Sequence, residues 1–240
     1  LVSISFSGSG FLATYQLGVA QCFLHYAPWI LHSAPSILGS SAGSLVAAMI
    51  HFAKEVKSFT LGPLNPSIKF FHWLECILNK HLPPNAHQLA NRRLAVTMTR
   101  LTDGEQILMS DFDSKEDVVQ VRLLCLFGGV KTSLHFYLDG GLSGIQPIAP
   151  GSSSRTLTVC PFSGESDICP GDAPCWLDIV THGVTLKGNL DNSFRFINAI
   201  YPTLEVRPKL YVAISYTACI PISILNLLLC NSLCLTFLEI

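Results

Sequence analysis

The chain has 240 residues, of which 49% are hydrophobic and 13% charged, and a formal net charge of −1. That length suits one substantial domain able to bury most of its apolar surface without disulfides. A near-neutral balance with no dense Lys/Arg run argues against a nucleic-acid partner. Nine cysteines without a C-x-x-C pair fit neither a zinc module nor a disulfide framework and read as reduced thiols. The Asn-x-Ser/Thr match at Asn65-Pro66-Ser67 is blocked by its proline. The sequence does not begin with Met, so it is expected to be a piece of a longer chain whose leader, if any, lies outside it.

Leu1 to Phe6 alternates Val2, Ile4 and Phe6 with Ser3 and Ser5, the period of a strand. Ser7-Gly8-Ser9-Gly10 breaks it. Leu12, Tyr15, Val19, Cys22, Phe23 and Tyr26 then recur at three- and four-residue steps, so the glycine loop opens directly into an amphipathic helix. Ser36 to Leu38 and Ser44 to Ala53 read as a second strand and helix. Leu94 to Thr99 and Gln106 to Met109 are strands, and Ser114-Lys115-Glu116-Asp117 has the form of a capping box opening a helix toward Cys125. Phe136 to Leu138 and Thr156 to Cys160 are later strands. Strands alternating with helices imply a parallel sheet covered by helices, with sites at the carboxyl ends of its strands. From Leu210 to Leu238 no residue is charged, which is long enough to cross a bilayer or lie in an apolar surface, although Pro221 and Asn226 interrupt it.

The chemistry is concentrated in "SILGSSAGSLVAAMI". Gly39-Ser40-Ser41-Ala42-Gly43 fits G-x-S-x-G, a serine held on a sharp strand-to-helix turn that only small neighbours permit. On that reading Ser41 is a nucleophile; on the alternative, a small-residue cluster merely closes a strand and opens a helix. An ester-cleaving serine also needs donors for the oxyanion and a base for its proton. Gly8, Ser9, Gly10 and Phe11 can supply backbone N–H donors at the positive end of the helix that follows. A nucleotide-phosphate loop is the competing reading, weakened by Ala13 where a third glycine would stand and by the lack of an acidic residue about 20 positions on. For the base, the order Ser41, Asp139, His182 is that of α/β-hydrolases. Asp139 in "FYLDGGLSG" ends a short apolar strand, where it is placed to act on Ser41 directly or to make a plain turn.

Taken in order, "SFSGSGFLATYQLGVA", "GSSAGS" and "DGG" resemble the patatin-like phospholipase domain. "LGPLNPSIK", "HLPP", "TRLTDGE", "FDSKEDV" and "PFSGESDICPGD" are similar to the animal branch that includes adipose triglyceride lipase and adiponutrin. The resemblance runs from Leu1 to about Pro202. It implies a patatin-like three-layer α/β sandwich with a mainly parallel central sheet covered by helices. It also implies a Ser-Asp dyad of Ser41 and Asp139, an oxyanion loop at Gly8, Ser9 and Gly10, and His182 outside the chemistry. The implied activity is a serine acyl hydrolase cleaving acyl esters of glycerol or phospholipid at a cytoplasmic lipid droplet or membrane, without a cofactor and with a protein co-activator as a possible partner. Transacylation by the same dyad, or a lipid-surface protein without turnover, are the alternatives. The sequence departs from the family in three places: Ala13 replaces a usual glycine, the approach to Asp139 is short and lacks Phe-x-Pro-x-Tyr, and residues 203–240 form the apolar tail instead of a polar helical region.

Other residues carry weaker signals. His135, Tyr137 and Asp139 fall on one face of a strand, so His135 either orients the acid or lies at the surface. His81 and His87 flank Pro83-Pro84 without a carboxylate or Cys at ligand spacing, which does not make a metal site. Phe70, Phe71, Trp73, Leu74 and Ile77 form a band that suits core packing or a lipid-facing lid. A β-branched residue at Gly10 is expected to lower turnover without unfolding the chain.

Overall fold

The computed structural model describes residues 2–52, 79–80, 82–119, 121, 130–131, 136–148, 155–181 and 184–201. His81, the band from Phe70 to Ile77, His135, His182 and the tail beyond Tyr201 therefore lie outside the described residues. In chain order the elements are β1 (Ser3–Phe6), a 3-10 turn (Gly10–Leu12), α1 (Ala13–Tyr26), α2 (Pro28–Ser33), β2 (Ile37–Ser40), α3 (Ala42–His51) and α4 (Ala86–Ala90). Then follow β3 (Leu94–Arg100), β4 (Gln106–Met109), β5 (Val130–Lys131), β6 (Phe136–Asp139), β7 (Thr156–Val159), β8 (Asp178–Thr181), β9 (Val184–Lys187) and α5 (Leu190–Ile200).

The fold is α/β with a mainly parallel central sheet. Strands β7, β1, β2 and β3 lie side by side and parallel, with Ile4 opposite both Leu157 and Ile37, and Leu38 opposite Ala95. Each of the first two connections runs through helix, as a parallel pair requires. Antiparallel strands complete one side, which corrects the expectation of simple strand-helix alternation. A short turn after Arg100 returns the chain as β4, pairing Thr97 with Leu108, while β6 pairs Met98 with Asp139 and β5 adds to β6. The Arg100 guanidinium braces that turn by gripping Asp103 and Glu105.

Both strand faces are buried. The alternation of β1 suggests a half-solvated strand, yet Ser3 and Ser5 are as inaccessible as Ile4 and Phe6. Ile4 and Phe6 join Val19 and Phe23 of α1, Val46 and Ala47 of α3, and Leu94, Val96 and Met98 of β3 in one core. The helical spacing read in α1 buries Tyr15, Val19 and Phe23 but leaves Tyr26, beyond the last packed turn, exposed. The Ser114 box forms as expected, with Ser114 Oγ accepting from the Asp117 N–H at 3.0 Å and the Asp117 carboxylate accepting from the Ser114 N–H at 3.0 Å. The helix it opens is described over 115–119 and at Val121.

Sequence periodicity gave no sign of α2, the β8–β9 hairpin or α5. A second, smaller apolar cluster explains how the last of these is held: Leu12, Cys160, Phe162, Val184 and Leu186 pack together, with Ala199 of α5 and Ile145 against them. Around it lies a polar knot. Arg195 donates to both carboxylate oxygens of Asp172 at 2.7 Å, and Ser163 Oγ and Asn189 Nδ2 donate to the same group at 2.7 and 2.8 Å. Asn192 is buried and ties α5 to Ser163 and to the Lys187 carbonyl. The hydrogen bond from Arg195 holds the Asp172 carboxyl well below the ordinary carboxylate range.

Asp172→Asn removes one charge from this bidentate pair and is expected to destabilise the fold by on the order of 2 kcal/mol, a typical loss for charge-assisted bonds. A carboxyl whose native pKa is depressed contributes its stability above its unfolded value and loses it as acid protonates the native pair. The difference in melting temperature between wild type and variant should therefore hold steady at neutral pH and shrink below about pH 4, as followed by thermal melts across pH.

Candidate active site

Strand β2 stops at Ser40 and the chain turns at once into α3, with Ser41 at the corner. Its backbone lies at φ 50°, ψ −128°, a left-sided conformation that L residues rarely adopt. The flanking glycines are required by close approach. A Cβ on Gly39 would sit 2.4 Å from the Ser44 Cα, and one on Gly43 2.3 Å from the Ser7 carbonyl oxygen. Ala42 is buried, and Ser40 turns its hydroxyl the other way, donating to the Gly144 carbonyl at 3.1 Å. The strained corner thus lifts one hydroxyl off the sheet, at the N-terminus of a ten-residue helix with no acidic residue in its first turn. The positive end of that helix favours negative charge at Ser41.

Asp139 reaches this corner by way of β3. Both β2 and β4 pair with Val96 and Thr97, so they occupy opposite edges, and β4 continues along its edge to Thr99. Since β6 pairs with Met98 and Thr99, it takes the edge that β2 leaves free when it ends opposite Thr97. Asp139, opposite Met98, consequently stands next to the elbow. Ser41 Oγ donates to Asp139 Oδ2 at 2.8 Å, and the Gly141 N–H donates to Asp139 Oδ1 at 2.9 Å. Burial pushes the Asp139 carboxyl above its ordinary pKa, opposed by those two hydrogen bonds. The short approach to Asp139 does not prevent this contact.

The segment after Asp139 is stapled to the ends of the central strands. Thr99 Oγ1 donates to the Asp139 carbonyl at 2.7 Å, the Gly8 N–H to the Ile145 carbonyl at 2.7 Å, and Gln146 Nε2 to the Ser5 carbonyl at 3.0 Å. The Gly8 bond corrects one expectation: that N–H is spent on Ile145 and is not free to meet an oxyanion. Gly8 instead lies over Ser41, where a Cβ would stand 3.7 Å from the Ser41 Cβ. Among the described residues no acceptor engages the N–H groups of Ser9, Gly10 or Phe11. Gly10 has φ +51°, and a Cβ there would fall 2.2 Å from the Ala199 carbonyl oxygen. A β-branched residue would therefore collide with α5, so loss of turnover at Gly10 would not come without loss of fold. Ala13, by contrast, sits at φ −52°, which any residue adopts, so a side chain there strains no backbone.

Several residues that shape the site escaped the sequence reading, among them Gln16, Thr99, Gln146 and Arg195; a lone polar residue in an apolar helix face was the available signal for Gln16. Tyr137 packs against the main core. His87 lies on α4, and no group of metal-ligating side chains assembles among the described residues.

No protein-family profile matches the chain. Relatives are found by sequence. The chain is 36% identical to the patatin-like phospholipase domain-containing protein 2 of Mus musculus over 222 residues, covering 83% of this chain and 45% of that one. It is 31% identical to the patatin-like phospholipase domain-containing protein 4 of Homo sapiens, covering 84% of this chain and 88% of the relative. The chain belongs to the patatin-like phospholipase family. An omega-hydroxyceramide transacylase of Homo sapiens is 35% identical, with 83% and 41% covered. This family member spans less than half the length of the first and third of these relatives.

The elbow packing gives a direct check. Gly43→Ala places a methyl group against the backbone of β1 with nothing flexible to yield, and is expected to destabilise the domain by about 3 kcal/mol or more, read as a lowered midpoint in urea unfolding.

Proposed function

We propose that this chain is a serine acyl hydrolase that cleaves long-chain acyl esters of glycerol, with triacylglycerol or phospholipid as substrate. The observation that carries the reading is the 2.8 Å hydrogen bond from Ser41 Oγ to Asp139 Oδ2 at a strained elbow. Ser41 attacks the ester carbonyl carbon as its proton passes to Asp139, whose burial makes it a better base than a solvated carboxylate. The carbonyl oxygen becomes an oxyanion, met by N–H groups of Ser9, Gly10 or Phe11 and by the N-terminus of α3. Collapse of the tetrahedral adduct breaks the ester bond, and Asp139 returns the proton to the departing alcohol. Water then attacks the acyl-serine, giving its proton to Asp139, and the acid leaves as Ser41 is re-protonated.

Relatives named as phospholipase, transacylase and 1-acylglycerol-3-phosphate O-acyltransferase support acyl chemistry on lipids. They also support a second reading, in which a lipid hydroxyl replaces water in the last step. The Ser41–Asp139 pair serves either acceptor. Work at a lipid droplet or membrane surface is supported by the exposed side chains Leu190, Phe194 and Ile197, which recur at helical spacing along α5; a cytoplasmic location belongs to the same proposal. The last turn of that helix, at Ala199, abuts the glycine loop. A protein co-activator belongs to the same proposal.

A fluorophosphonate probe is expected to label the wild type and not Ser41→Ala. Asp139→Asn should reduce turnover of a short soluble ester by at least about 10³-fold, comparable to removing a base from a catalytic pair, while its melting temperature stays level or rises because a buried charge is gone. Because burial raises the Asp139 pKa and its ionised form is the base, the labelling rate should climb with pH along an acid limb centred above the usual carboxylate value of about 4. Labelling that survives in Ser41→Ala would reject the nucleophile assignment. Product analysis with a labelled acyl donor, offered water and glycerol hydroxyls together, separates hydrolysis from transfer.

A further inference from the structure

We infer that Gln16, on the first turns of α1, is a positioning residue that sets the geometry of the oxyanion loop; the inference rests on the acyl-transfer reading of Ser41 and Asp139. Gln16 is fully buried on a helix face otherwise lined by Tyr15, Val19 and Phe23. Its side-chain amide reaches back across the loop. Gln16 Nε2 donates to the Ser7 carbonyl at 2.9 Å and to Ser7 Oγ at 3.1 Å, and Gln16 Oε1 accepts from Ser9 Oγ at 3.1 Å. A weaker contact runs from Nε2 to the Val159 carbonyl at 3.5 Å.

These bonds grip the residues on either side of Gly8, which lies over Ser41. The third fixed point is Gly8 itself, whose N–H is held by Ile145. With Ser7, Gly8 and Ser9 pinned in this way, the direction of the following N–H groups is set before substrate arrives, which is the condition for an oxyanion site to lower a barrier. The amide orientation is dictated by its partners. Turned over, Oε1 would face the Ser7 carbonyl oxygen, acceptor against acceptor. Only a side chain that both donates and accepts at this length satisfies the loop, so glutamine is required by chemistry as well as by size.

The test uses the full chain and two variants. Gln16→Met keeps the length and removes the hydrogen bonds to both Ser7 and Ser9; Gln16→Glu keeps the acceptor but, when ionised, turns a negative oxygen toward the Ser7 carbonyl. For Gln16→Met, kcat on a short soluble ester is expected to fall about 10- to 100-fold with KM nearly unchanged, in line with a misplaced catalytic group. Affinity for a trifluoromethyl ketone, whose adduct with Ser41 carries an oxyanion, should fall by the same factor. Affinity for the matching alkyl ether, which cannot form an adduct, should not change. Relative to wild type at the same pH, Gln16→Glu should lose turnover as pH rises through ionisation of the new carboxyl and approach the wild-type rate toward acid, where the protonated group can again donate; wild type should lack this alkaline loss. If Gln16→Met does not fold, Ser9→Ala, which deletes the accepted bond alone, is expected to give a smaller loss with the same ketone-selective pattern.

A lowered melting temperature with kcat and ketone affinity per folded molecule unchanged would make Gln16 structural and overturn the inference. Equal losses for ketone and ether would also overturn it, by pointing to a reshaped binding cleft. A wild type that turns over while the Gln16 variants match it refutes this inference alone; a wild type that neither turns over nor labels at Ser41 refutes the acyl-transfer reading and this inference together.

Discussion

One edge of β3 does two jobs, and the site depends on it. Its first residues pair with β2, and once β2 turns away at Ser40 the same edge accepts β6 from the opposite direction. Backbone hydrogen bonds on that edge would otherwise go unmade in a buried sheet, at a cost of about 1–3 kcal/mol each. Strand pairing therefore fixes Asp139 beside Ser41 with the precision of a ladder register, and no flexible loop has to carry the acid into place. The sharpness of the elbow is what vacates the edge. Strain at Ser41, small residues at Gly39 and Gly43, and the arrival of Asp139 are consequences of one chain reversal.

The second organising feature is the burial of small polar groups on the β1 and β2 side of the site. Ser5, Ser7, Ser9 and Ser40 are all inaccessible, and each spends its hydroxyl or carbonyl on a named partner: Pro147, Gln16 or Gly144. Apolar residues there would pack as well but could not satisfy the carbonyls of the segment that follows Asp139. Serine in these positions lets two irregular segments, the glycine loop and residues 143–148, lie against strand ends without orphaned backbone groups. Polar density near the elbow is thus a structural solution as well as a chemical one.

Behind the glycine loop, α5 closes the arrangement. Its Arg195 and Asn192 bind Asp172 and Ser163 on one side, and it presents Leu190, Phe194 and Ile197 on the other. Anchoring by this polar knot, with Ala199 and Phe196 packed on the smaller apolar cluster, leaves the face of Leu190, Phe194 and Ile197 uncommitted. The helix that supports the loop sterically at Gly10 is therefore also the one that exposes an apolar surface near it, and the proposed lipid substrate would meet that surface beside the elbow.

How far the sequence reaches can be judged element by element. The first strand, glycine loop, helix, second strand and elbow were legible because each is written in consecutive residues: alternation in β1, helical spacing in α1, and G-x-S-x-G at Ser41. Asp139 was legible as a carboxylate at a strand end, but its nearness to Ser41 was not, since 98 residues separate them and only the shared edge of β3 joins them. The family resemblance bridged that gap by analogy. The partners of Gln16, the spent N–H of Gly8 and the collision awaiting a side chain at Gly10 had no sequence signal, because each depends on which distant group lies opposite. Local sequence determined the elements around the elbow and the kinds of chemistry available, through periodicity and the steric demands of small residues. Tertiary structure alone decided which of those groups meet, because hydrogen-bond register and close packing are properties of paired segments and are not encoded in either segment by itself.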